Sequence, residues 1–169
     1  MNDYNSNWSI EKRIEYLLNT IPPVEYNGRM RSLFVGWGDE DELKRRLNAE
    51  NQKVYPLCWQ TPTKTKEFLN HETKNVNLVL AQLTSDTDFN TRRDERVYYP
   101  LLDVFKDRIK LCFNNSGATI IEKDTLTIDK VPNYTNTLTI NTWDALIINF
   151  DLIYYKDKCL NKKINYNLD

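Results

Sequence analysis

A chain of 169 residues is most simply one domain, long enough to bury a core without disulfide or metal staples. Its formal net charge of −1, with 23 basic and 24 acidic residues interspersed, argues against a nucleic-acid module built on a basic surface and against a polybasic membrane anchor. No apolar run reaches membrane-spanning length, the N-terminus carries no basic-then-apolar leader, and Cys58, Cys112 and Cys159 form no metal-type pair, which together predict a protein kept in a reducing cytosol.

Residues 1–8 are polar and read as a mobile N-terminal segment. Ser9 then opens a helix in which Ile10, Ile14, Leu17, Leu18 and Ile21 recur at helical spacing, and Pro22-Pro23 ends it. "RSLFVGW" reads as a strand. Asp39 and Glu42 resemble a capping box for a short helix through Leu47. "VYPLCWQ" reads as another strand, with Pro56 putting it at an edge or beside a bulge. From Thr61 to Asn75 the chain is polar, carries Lys64, Lys66 and Lys74, and is long for a plain connection. It predicts a hairpin arm or loop whose apolar anchors are Phe68 and Leu69, leading into the strand "VNLVLAQLT".

"SDTDFNTRRDER" is charged connecting chain or a short helix, and Pro100 fits the first turn of the helix that follows. Leu101, Leu102, Phe105, Ile109, Cys112 and Phe113 form the buried stripe of that helix, which Asn114-Asn115-Ser116-Gly117 terminates. "ATII", "TLTIDKV" and "TLTI" are strand-like. The most apolar run, "WDALIINFDLIYY", puts Leu146, Ile148, Phe150, Leu152 and Tyr154 on one face of a long last strand. Its other face carries Ala145, Ile147 and Ile153, interrupted by Asn149 and Asp151, and needs a partial cover. The fold class is α+β: an antiparallel or mixed sheet with helices packed on one face, a long C-terminal strand and an extended polar hairpin arm. Residues 9–160 form the single domain, and residues 161–169 are a polar C-terminal tail.

Catalytic signals are sparse. His71 is the only histidine and lies in the polar arm, where it reads as a surface residue. HExxH, CxxC, Walker and GxGxxG patterns are missing, and the acids after "VGWG" would repel a phosphate at the helix start. A metal-dependent nuclease would need gathered carboxylates, but Asp144 and Asp151 fall on opposite faces of a regular strand. The sequence therefore predicts no enzyme, no cofactor and no metal. Arg92, Arg93 and Arg96, beside Asp94 and Glu95, are either a solvated helix start, a subunit contact stacking on Tyr98 or Tyr99, or a phosphate patch weakened by the adjacent acids.

The succession of an amphipathic N-terminal helix, "VYPLCWQTP", a polar arm, "VNLVLAQLT", an arginine-rich segment leading to "YYPLLDVFKDRIK", and "TWDALIINFDLIY" resembles neck and tail-completion proteins of tailed bacteriophages, of the tail-terminator type. It is similar in particular to ring proteins of crAss-like phages, and the resemblance spans Ser9 to Tyr155. It implies a structural virion protein whose copies close into a ring of six or twelve around the DNA channel, twelve if the phage is crAss-like. It also implies adjacent portal, neck or tail ring proteins as partners, DNA only as passing cargo, no membrane, and assembly in the bacterial host cytoplasm. A head-to-tail ring needs two different surfaces on each subunit. The candidates are Arg92, Arg93, Arg96, Tyr98 and Tyr99 with Asn149, Asp151 and Ile153, while Lys64, Lys66, Phe68, Leu69 and Lys74 would meet an adjacent ring or the channel. The alternatives are a monomeric cytosolic α+β binding module and, ranked after it, a metal-dependent nuclease.

Overall fold

The computed structural model describes residues 8–48, 56–84, 90–134, 142–156, 158, 164 and 166. Residues 1–7, the "TLTI" run, Cys159 and most of the C-terminal tail lie outside the described residues. Trp8, expected to be mobile, packs its ring 5.5 Å from that of Tyr16.

Helix α1 spans Ile10–Asn19, and the Ser9 hydroxyl accepts the Lys12 N–H at 3.4 Å, as an N-cap does. Strands β1 (Val24–Tyr26) and β2 (Arg29–Arg31) form a small separate hairpin. Its turn is Asn27-Gly28, both at positive φ, the combination that a two-residue turn matched to strand twist requires. Strand β3 (Phe34–Trp37) leads into α2 (Glu40–Asn48). There Asp39 and Glu42 cap one another reciprocally, the Asp39 N–H donating to Glu42 Oε2 at 2.9 Å and the Glu42 N–H to Asp39 Oδ1 at 2.8 Å.

The main sheet has β6 (His71–Thr84) and β9 (Thr142–Tyr155) as its spine, antiparallel in register from His71↔Tyr155 to Thr84↔Thr142. The free edge of β6 takes β4 (Leu57–Thr61) and then β5 (Thr65–Glu67), and β3 runs parallel to β4. The free edge of β9 takes β8 (Thr127–Val131) and β7 (Thr119–Ile121). β4 is thus an interior strand. Pro56 precedes its first residue, so no ladder N–H is lost, and the Pro56 carbonyl accepts the Phe34 N–H at 2.8 Å.

The expected arm is correspondingly absent as a detached element. The first residues of β6 pair with β5 on one side and with β9 on the other, so the hairpin is an end of the sheet itself.

A continuous helical segment crosses the sheet: α3 (Asn90–Arg93), a π-helical stretch (Asp94–Leu102) and α4 (Asp103–Asn114). Pro100 lies inside this segment, not in its first turn. The wider turn accommodates it, because the proline ring clashes with the carbonyl four residues back and a five-residue spacing moves that carbonyl away. The Asp103 N–H accordingly donates to the Tyr98 carbonyl, five residues earlier.

On one sheet face, Val76, Leu78 and Leu80 join Leu146, Ile148, Phe150, Leu152 and Tyr154 under α1, the π-stretch and α4. The predicted stripe from Leu101 to Phe113 is buried there throughout. The helices do not all share this face. Leu43 and Leu47 of α2 pack on the opposite one, against Leu57, Trp59, Val79, Ala81, Trp143 and Ala145. Parallel strands cannot be joined by a tight turn, so β3 and β4 need a crossover, and α2 supplies it. Gly36, the cross-strand partner of Trp59, leaves room for its ring, since a Cβ there would lie 2.5 Å from it.

Candidate subunit interface

The α2 layer covers only one end of its sheet face. Beyond Ala145 the outward side chains of β9 are Ile147, Asn149, Asp151 and Ile153, all half-buried. Their cross-strand neighbours extend the same surface. Ile120 of β7 lies opposite Ile153 and is 43% exposed, Asp129 lies opposite Ile147, and Thr127 and Asn77 flank Asn149. Asn75 lies opposite Asp151, and its Nδ2 donates to Asp151 Oδ1 at 2.9 Å. Asn77 Oδ1 is buried on this face with no hydrogen-bond partner among the described residues. A shallow cleft of about 480 Å³ borders the patch, lined by Lys64, Lys66, Thr73, Asn75 and Asp151 among others. The structure thus brings Asn149, Asp151 and Ile153 together with Lys64 and Lys66, which sequence spacing alone did not connect.

The arginine cluster divides. Arg92, Arg96 and Tyr99 are exposed, but Arg93 is 2% exposed and Tyr98 is 3% exposed, so neither offers a surface. The Arg93 Nη1 donates to Asp144 Oδ1, and the Asn133 N–H donates to the same oxygen at 3.1 Å. This ion pair is enclosed at the Asp144 end of β9, where an unpaired carboxylate would be costly. The Tyr98 hydroxyl donates to the Ala145 carbonyl at 3.4 Å, and burial, reinforced by the Asp144 charge, pushes its phenol up and keeps it neutral. What remains outside is Tyr99, 58% exposed, with the Lys130 ammonium 4.6 Å from its ring centroid and 2.9 Å from Asp94 Oδ1.

The hairpin residues divide too. Lys64, Lys66, Phe68 and Leu69 are exposed. Lys74 is 2% exposed, on the helix-covered face, with its Nζ 2.8 Å from Glu11 Oε1. Burial pushes the Glu11 carboxyl up, but the Lys74 hydrogen bond and charge outweigh it and hold the group below its ordinary value.

Beside this pair lies a feature the sequence reading missed, a pocket of about 380 Å³ between the start of α1 and the ends of β3 and β4. Trp37, Gln60, Pro62, Glu11 and Glu15 are among its lining residues. Gln60 is 3% exposed, and its Nε2 has no acceptor among the described residues. The only sequence hint was Trp37, a large ring at the end of a strand followed by acids.

Among the described residues no group of three or more His, Cys, Asp or Glu side chains is placed to hold a metal ion. Cys58 is enclosed, and burial pushes its thiol up to about 12. No described helix is long and apolar enough to cross a membrane. No protein-family model matches the chain, and no curated protein matches it.

Proposed function

We propose that the chain is a structural protein of a tailed-phage virion, whose copies close into a ring of six or twelve in the neck or tail around the DNA channel. Its task is mechanical, joining portal or head to tail without catalysis, and its neighbours are portal, neck or tail ring proteins. The observation that carries the reading is the half of the sheet face that α2 does not reach and no other described helix covers. Ile120, Ile147 and Ile153 lie there on hydrogen-bonded neighbouring strands, mixed with Asn149 and Asp151. An apolar and polar mixture on a fixed backbone suits a subunit contact. The exposed Arg92, Arg96 and Tyr99 form a second, different surface, as a head-to-tail ring requires. Near-zero net charge supports the same reading, since it limits repulsion between copies and gives passing DNA little to grip.

Mass measurement after size-exclusion chromatography, with imaging of the purified protein, tests this. A closed ring is expected, twelvefold if the phage is crAss-like, and a strict monomer at every concentration overturns the reading. The 380 Å³ pocket favours a second reading, a monomeric binding module. That same strict monomer is the result it requires.

A further inference from the structure

The hairpin tip and the pocket at the start of α1 are complementary, and we propose that the tip of one copy seats in the pocket of the next. This rests on the ring reading and names one of its contacts. The tip is an apolar knob. Leu69 is 92% exposed and Phe68 is 48% exposed, at the end of an otherwise polar ribbon. The ribbon holds them firmly out. The Phe68 N–H donates to the His71 carbonyl at 2.9 Å, the Lys156 N–H to the Asn70 carbonyl at 3.2 Å, and the His71 ring stacks on Phe68 at 4.6 Å.

The pocket is the matching hole. Trp37, 60% exposed, and Pro62 give it apolar lining at the sheet edge, and its volume admits a branched side chain together with the edge of a ring. Gln60 adds a directional requirement: a buried amide donor without an acceptor is costly, and a main-chain carbonyl of an incoming turn satisfies it. The Leu69 carbonyl accepts no backbone hydrogen bond among the described residues.

Charge points the same way. Lys64 and Lys66 flank the knob, exposed and with no carboxylate partner among the described residues. Glu15 on the pocket rim has no cationic partner among them, and of the other charges lining the pocket Glu11 pairs with Lys74 while Lys12 lies over the Trp8 ring. Knob and hole are different surfaces, so the contact propagates in one direction and closes only as a ring.

Disulfide trapping tests the contact directly. Pro62 and Leu69 are separated by about 20 Å of extended chain, whereas a disulfide needs Cα atoms within about 7 Å, so a Pro62→Cys/Leu69→Cys variant can cross-link only between copies. Mild oxidation should give a ladder of covalent oligomers that neither single variant gives. Leu69→Asp, at an exposed site, should leave the thermal transition unchanged and raise the concentration for half-assembly at least tenfold. Lys64→Glu/Lys66→Glu should weaken assembly, with partial recovery on adding Glu15→Lys. Rings that form normally with Leu69→Asp and give no ladder overturn the contact and leave the ring reading standing. Such rings that lose attachment to an adjacent virion ring on Trp37→Ala assign the pocket to that protein and also overturn the contact. A wild-type monomer at every concentration overturns both.

Discussion

The two faces of the β6–β9 spine share a backbone and differ in everything built on it. One face is apolar from Val76 to Leu80 and from Leu146 to Tyr154, and α1, the π-helical stretch and α4 close over it. The other is apolar only where α2 reaches, at Trp143, Ala145, Val79 and Ala81, and then becomes isoleucines separated by Asn149 and Asp151. A strand alternates its side chains, so one sequence writes both faces at once. On the proposed reading, stability and assembly fall to opposite sides of the same strands.

Substitutions across the sheet should break that asymmetry unequally. Phe150→Ala, which removes a fully buried ring tilted against that of Phe113, should cost about 3–5 kcal/mol in chemical denaturation through transfer and cavity terms. A loss below about 1 kcal/mol would mean that the covered face is not the core.

Asp144→Ala should be of the same order, about 3–5 kcal/mol, because it removes the carboxylate paired with the buried Arg93 guanidinium. The paired replacement Arg93→Met/Asp144→Leu should recover most of that loss, and a failure to recover would make the ion pair more than a satisfied charge.

On the open face, Ile153→Ala should cost about 1 kcal/mol or less in the unassembled subunit while weakening assembly. A larger stability loss without an assembly defect would show that the face is covered within one chain.

Glu11 and Lys74 provide a pH test. The Glu11 carboxyl is held below its ordinary value of 4.5, so its contribution is present above that pH and fades as acid takes it through the lower folded value. Glu11→Gln should flatten this acid-side component of the denaturation midpoint, and an unchanged slope would show that Lys74 is held by other partners. The smallest effect is expected at Lys66→Ala, within about 0.5 kcal/mol in the isolated subunit, since the residue is exposed and unpaired among the described residues.

Several features were legible because they depend on neighbours in the chain. The Ser9 cap, the Asp39/Glu42 box, the Leu101 to Phe113 stripe and the alternation of the last strand all follow from spacing. The Asn27-Gly28 hairpin was equally local and went unread, although that dipeptide is a strong turn signal. Pro100 misled, because a proline reads as a helix start unless a wider turn absorbs it, and nothing in the residues around it announces that turn.

The candidate interface was half legible. Asn149, Asp151 and Ile153 could be placed on one face by parity, but Asp144, seven residues before Asp151, owed its role to Arg93, 51 residues away. Arg93 and Arg96 look alike in sequence, and packing alone turned one inward and left the other exposed.

What the sequence determined by itself was therefore most of the helices and long strands, their apolar faces and the α+β class, since these are written in short-range periodicity. What only the tertiary structure decided was which face α2 covers, that Lys74 is buried while Lys66 is exposed, and that Trp37 and Gln60 meet beside α1. Those outcomes depend on strand order and on a parallel crossover, and contacts between residues far apart in the chain leave no local pattern to read.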